Sequence, residues 1–254
     1  MKHFSFLRLI ALAACALLSP APGRADLIID NFSSGPLSLL NTTPLTTVSG
    51  GSSGLGSGTL GGARSLSITN GANVFSSTLT VTPALGRLDF ASQVAPPPNG
   101  TSFLLKYDGS PGPLLNPAGL GGLNLLSQGG IGITLVGNNT SNAVEEVTYT
   151  VYSNATSYST ATVAIPSGAA NLSQTVLFTS FTQGTGAAAA ANFADVGALT
   201  VAIQYGNRQG SSGSITLVGV ASVPEPAPLV LGSLGLCVFV LTAIRRARRS
   251  SRVS

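Results

Sequence analysis

The acid–base chemistry open to the stretch between Asp26 and Ser222 rests on carboxylates. It holds Asp26, Asp30, Asp89, Asp108, Glu145, Glu146 and Asp195, but no histidine and no cysteine. Two carboxylates facing each other could hydrolyse a glycosidic bond, one as proton donor and the other as base or nucleophile. Glu145 and Glu146 cannot form that pair together, because neighbours on a strand point to opposite faces. Gly50-Gly51-Ser52-Ser53-Gly54 matches the spacing of a nucleophile elbow, yet its serine has no histidine to activate it and no strand–turn–helix frame. Gly56-Ser57-Gly58-Thr59-Leu60-Gly61 matches a dinucleotide-binding spacing, again without the strand–helix unit that such chemistry needs. No catalytic residue, cofactor or metal ligand is therefore assigned. Asp30 and Asp108 sit beside strand ends, where calcium-binding oxygens could gather; the simpler reading is that Asp108 shapes the turn at Tyr107–Gly109.

Sugar binding is the other chemistry to weigh. It calls for exposed aromatic faces flanked by polar hydrogen-bonding groups. There is no tryptophan; Tyr107, Tyr152, Tyr158 and Tyr205 are available, although strand tyrosines commonly pack half-buried. Arg64 and Arg87 are scarce charges that either grip an acidic sugar or pair with Asp30 and Asp89 at the surface.

These side chains must be positioned by strands. β-branched and aromatic residues alternate in short runs separated by turn residues, which predicts strands near 27–32, 65–69, 74–82, 87–91, 101–107, 131–136, 144–152, 160–165, 175–178, 198–205 and 214–221. In two of them the faces are explicit. Val147, Tyr149 and Val151 oppose Glu146, Thr148 and Thr150; Leu199, Val201, Ile203 and Tyr205 oppose Thr200, Ala202 and Gln204. The alanine run within 186–195 is the one hint of helix, kept short by Gly186 and Asn192. The Gly/Ser-rich stretch 50–62 is expected to be a surface loop. Many short strands with almost no helix predict an all-β, jelly-roll-like β-sandwich for residues 26–222.

The formal net charge of +4 is concentrated at the ends. The body carries four cations, Arg64, Arg87, Lys106 and Arg208, against its seven acids, a balance of −3. That excludes a nucleic-acid partner, which would require clustered Lys and Arg. Residues 1–25 have the pattern of a secretory signal peptide: Lys2 and Arg8, then an apolar run through Leu18, then Gly23-Arg24-Ala25 before a cleavage point between Ala25 and Asp26. Leu12-Ala13-Ala14-Cys15 is similar to a lipoprotein box that would acylate Cys15, but the apolar run continues past it, so ordinary cleavage is expected. At the other end, Pro224, Glu225 and Pro226 interrupt regular structure. Ala227 to Ile244 follow without a charge, long enough as a helix for about 27 Å of a ~30 Å hydrocarbon core. Arg245, Arg246, Arg248, Arg249 and Arg252 then anchor the tail on the cytoplasmic side.

Pro-Glu-Pro, one hydrophobic span and an arginine-rich tail, in that order over residues 223–254, resemble the PEP-CTERM sorting signal of exported bacterial proteins. The resemblance implies a single transmembrane helix in transit and recognition by exosortase, a membrane-embedded processing enzyme that cuts near the Pro-Glu-Pro. A broader resemblance covers the body. Ile29-Asp30-Asn31-Phe32-Ser33 opens it, Leu60-Gly61-Gly62-Ala63-Arg64 precedes a strand, Tyr107-Asp108-Gly109 closes another, and Phe193-Ala194-Asp195-Val196-Gly197 leads into a late strand. These features are similar to the β-sandwich bodies of PEP-CTERM proteins and, more distantly, to galactose-binding-like jelly rolls that include carbohydrate-binding modules.

The expectation is an exported, non-enzymatic protein of the cell envelope or extracellular matrix, processed by exosortase, transiently in the membrane and associated with exopolysaccharide. The alternatives are a specific carbohydrate-binding module and, third, a glycosidase working through acids alone.

Overall fold

The computed structural model describes residues 27–94, 100–140, 144–205 and 211–222. The expected leader with its cleavage point at Ala25 and Asp26, the motif Pro224–Glu225–Pro226, the spanning helix and Arg245 to Arg252 lie outside the described residues. Among the described residues no helix is long and apolar enough to cross a membrane.

Among the described residues fourteen strands, all paired antiparallel, build two sheets. In chain order they are β1 (Ile28–Asp30), β2 (Leu37–Asn41), β3 (Thr47–Ser53), β4 (Ala63–Thr69), β5 (Val74–Thr82), β6 (Arg87–Val94), β7 (Ser102–Tyr107), β8 (Gly130–Asn139), β9 (Glu145–Tyr152), β10 (Tyr158–Ile165), β11 (Leu172–Leu177), β12 (Thr182–Gln183), β13 (Ala198–Tyr205) and β14 (Ser211–Ser222). Sheet A runs β11-β8-β14-β6-β5-β2, with β1 on β14; sheet B runs β12-β10-β9-β13-β7-β4-β3. The expected all-β sandwich is what forms, because each sheet has one apolar face to hide. Val147, Tyr149 and Val151 are buried while Glu146 is exposed, and Leu199, Val201 and Ile203 are buried opposite exposed Gln204. Leu79, Leu88, Phe90, Leu135 and Val218 of sheet A meet these across the core. Phe90 and Phe103 touch from opposite sheets, with ring centroids 5.8 Å apart.

Three expectations are corrected. The stretch 50–62 is not all loop: its first residues belong to β3, paired with β4 from Thr47↔Thr69 to Ser53↔Ala63. Gly50 and Gly51 belong in that strand because a Cβ on Gly50 would sit 3.0 Å from Leu39 Cδ2, and one on Gly51 would sit 1.9 Å from the Pro111 carbonyl oxygen. Glycine there permits close packing on both sides. The alanine run forms no helix, since its amides are taken by the β9–β10 end: Ala188 N donates to Thr156 O (2.7 Å) and Ala191 N to Ser159 Oγ (2.9 Å). The third, the surface pairing of Arg64 with Asp30, is taken up below; on β13, Thr200 lies on the face opposite Val201 yet is 7% exposed, beside Lys106 in register.

Among the described residues two ion pairs are buried. Arg64 follows the inward register of Leu66 and Ile68, so the Arg64–Asp30 pair lies in the core and not at the surface, with both side chains fully buried. Arg64 Nη1 donates to both Asp30 oxygens (2.8 and 2.7 Å), and Nη2 donates to the carbonyls of Ser34 (2.9 Å) and Gly35 (3.0 Å). The guanidinium also lies 5.3 Å over the Phe32 ring. Burial pushes the Asp30 carboxyl above its ordinary value even with Arg64 against it, and burial next to Asp30 pushes the Tyr107 phenol well above its own. The second pair is Lys106 Nζ to Asp108 Oδ2, 2.7 Å. Asp108 also accepts from Ser110 N (3.0 Å) and Asn116 N (2.6 Å), which is the turn-shaping role expected of it.

Candidate functional site

The two outer faces of the sandwich differ. Over sheet B, the segment following Asp108 forms a roof. Ser65 Oγ donates to the carbonyls of Ser110 and Gly112 (3.1 and 2.9 Å), Lys106 Nζ to that of Leu114 (2.6 Å), and Leu120 N to Gly197 O (2.9 Å). Among the described residues none covers the outer face of sheet A in this way, and that face carries an open groove of about 350 Å³ across β5, β6, β14 and β8. Its size falls in the range of small-ligand sites.

The groove is built by register. Ser38 lies opposite Thr80, Thr80 opposite Asp89, Asp89 opposite Ser214 and Ser214 opposite Asn138, so five polar side chains stand abreast on five strands. At about 4.8 Å per strand the row crosses ~19 Å of sheet. A second row beside it runs Leu40, Thr78, Ala91 and Ser212, and Thr140 joins its end through Thr140 Oγ1 to Ser212 O, 2.9 Å. Strand alternation forces this outcome: Leu79, Leu88, Phe90 and Ile215 must face the core, so their polar neighbours face out.

Within the groove Arg87 Nε donates to Asp89 Oδ2 at 2.9 Å, the two side chains being 44% and 37% exposed. The expected surface pairing of these residues is found. It leaves the guanidinium Nη groups and Asp89 Oδ1 turned to solvent without partners among the described residues. Ser38 Oγ and Thr80 Oγ1 are 3.1 Å apart, and Asn138 Oδ1 accepts from Ser214 N at 3.1 Å, freeing its Nδ2 to donate outward. The groove thus mixes hydroxyls, an amide and an internally neutralised ion pair, a set suited to the hydroxyls of a sugar and to no strongly charged ligand.

Aromatic surface is close by. Phe75, 67% exposed, lies three residues before Thr78 on β5. Strict alternation would place it with Leu79 and Val81 in the core. The register shift between Val74 and Ser76 turns it outward instead. Beside the groove Leu40 is 59% exposed. Phe75 was not among the aromatic candidates read from the sequence, and only the bulge reveals it.

The other candidates are dispersed. Tyr107 is fully buried beside Asp30 and Arg64, so it has no face for a sugar. Tyr152 and Tyr158 are half-buried on sheet B, their rings 5.3 Å apart, with Gly184 packed against Tyr158. Glu145 is buried and Glu146 exposed on opposite faces, as alternation demands. Asp30 and Asp108 are spent on Arg64 and Lys106, and among the described residues no cluster of acids, histidines or cysteines could hold a metal ion.

No family model matches the chain, and no curated protein matches it. Solved structures do. An agarase aligns at a TM-score of 0.44 and 9% identity, over 78% of this chain and 26% of its own, so the chain spans about a quarter of that enzyme. The family 11 carbohydrate-binding module of a cellulosomal cellulase of Clostridium thermocellum aligns at 0.39 and 10% identity, over 80% of this chain and 97% of the module. The xyloglucanase domain of a type three effector from Sinorhizobium fredii aligns at 0.34 and 11% identity, over 73% and 99%. At these scores and identities they assign no function.

Proposed function

We propose that this chain is an exported, non-enzymatic envelope or matrix protein whose sandwich, of jelly-roll type, holds a neutral glycan chain on the outer face of sheet A. The observation that carries the reading is the five-strand polar row Ser38–Thr80–Asp89–Ser214–Asn138 on the outer side of sheet A, in which Ser214 is itself covered, with exposed Phe75 five residues before Thr80 on β5. Such a groove crosses four strands, which suits a polymer lying across them. Asp89 Oδ1 accepts sugar hydroxyls, the Arg87 Nη groups and Asn138 Nδ2 donate to them, and Phe75 offers a stacking face. Among the described lining residues Asp89 is the single carboxylate, so they hold no facing acid pair for glycoside hydrolysis.

Affinity electrophoresis in gels cast with neutral exopolysaccharide, or with a uronate polymer, tests the reading. The wild-type chain is expected to be retarded by the neutral polymer only. Asp89→Ala should weaken retention roughly 10- to 100-fold, the equivalent of one or two charged hydrogen bonds. Retention that persists unchanged in Asp89→Ala, or none with any polymer, contradicts the proposal.

Delivery is proposed to follow from the ends: cleavage after Ala25, transient membrane insertion, and exosortase processing near Pro224–Glu225–Pro226 with Arg245 to Arg252 inside. Intact mass of material released from the cell surface should lack both end segments. A retained arginine tail would leave a simply anchored protein.

A further inference from the structure

We infer that β3 is an interface through which two copies of this chain pair, strand against strand, antiparallel about Gly50. β3 hydrogen-bonds β4 on one side only, and among the described residues no backbone or side-chain group bonds its outer side. An edge of this kind presents a row of unpaired N–H and C=O groups that folded proteins ordinarily protect by shortness, charge, proline or a bulge. The other edge of the same sheet, β12, is cut to two residues. β3 has seven residues, Thr-Val-Ser-Gly-Gly-Ser-Ser, with no charge and no proline, and its register with β4 runs without a bulge.

The edge is also packed closely on both faces. Leu37 and Leu39 support Gly50 from below, and the Pro111 carbonyl sits against Gly51 from above. An uncharged strand already held in extended form by its pairing with β4 loses little entropy on pairing again.

A second copy is the occupant that the side chains fit. A two-fold axis at Gly50 sets Thr47 against Ser53, Val48 against Ser52 and Ser49 against Gly51 of the other copy. Every opposed pair is small and uncharged, so the contact meets neither a steric clash nor like-charge repulsion. A basic or acidic partner segment would find no charge on β3 to meet. Pairing at β3 fuses the two B sheets and leaves both A faces open, giving one assembly two grooves. That bivalency, unlike the pairing itself, rests on the glycan reading of the groove.

Sedimentation of the full chain in detergent tests the pairing, with Cys15 and Cys237 replaced by serine so that introduced thiols stand alone. The chain should sediment as a dimer, and Ser49→Lys with Ser53→Lys should render it monomeric with an unchanged melting temperature. Thr47→Cys with Ser53→Cys should give a disulfide-linked dimer on oxidation, whereas Thr162→Cys, exposed elsewhere on the sheet, should not. Positions 47 and 53 lie about 20 Å apart along one strand, too far to bridge within a chain. A monomeric wild-type chain, a dimer that survives both lysines, or equal cross-linking by Thr162→Cys overturns the inference. Loss of glycan binding with the dimer intact would count only against the groove.

Discussion

Arg64→Ala should lower stability by about 3–5 kcal/mol at neutral pH, because it strands the Asp30 carboxylate in the core without its cation. Arg64 and Asp30 are both fully buried, and one guanidinium nitrogen reaches both carboxylate oxygens. The loss should depend on pH with a definite sign. Burial already raises the Asp30 carboxyl above 3.8, and Arg64 is the largest influence pulling it back down. Without Arg64 the folded-state value rises further. A carboxyl raised in the folded state costs stability as pH climbs from the unfolded value through the folded one, so the variant should be worse at pH 8 than at pH 5. Urea titrations of both proteins at the two pH values check this, and a loss of the same size at both would contradict it. Replacing the pair together, Arg64→Met with Asp30→Leu, should recover most of the loss, since neither buried charge of that pair then remains.

Val201→Asp should cost roughly 3–5 kcal/mol, while Gln204→Asp should change stability by no more than about 0.5 kcal/mol. Val201 lies on β13, fully buried between Tyr149 of β9 and Leu105 of β7. A carboxylate placed there has Tyr149 and Leu105, and no cation, as its register neighbours. Gln204, on the other face of the same strand, is open to water. Thr200 is a poor control for this comparison, because its covered position beside Lys106 alters both the burial and the charge an aspartate would meet. Equal melting temperatures for the Val201 and Gln204 variants would overturn the assignment of faces.

The strands with clean alternation were legible in the sequence. β5 and β13 run over the expected residues, and the opposed faces of β9 are as alternation requires. β2 and β3 were not foreseen, for different reasons. Leu39 and Leu40 are adjacent apolar residues, one buried and one exposed, which erases the period-two signal of β2. β3 reads as loop because its glycines answer to Leu37, Leu39 and Pro111, contacts made only in the folded chain. Arg64 sits on a legible inward register with Leu66 and Ile68, yet its charge argued for the surface; Asp30 and two carbonyls reverse that argument. The groove was the least legible part. Thr80, Asp89, Asn138 and Ser214 become neighbours only through strand pairing across more than a hundred residues.

Backbone amide shifts on titration with a neutral oligosaccharide test the central claim most directly, since they report where the glycan lies as well as whether it binds. Shifts should concentrate on Phe75, Thr78, Thr80, Asp89, Asn138, Ser212 and Ser214. Shifts centred on Tyr152 and Tyr158 across the sandwich, or no shifts at saturating oligosaccharide, would contradict the account.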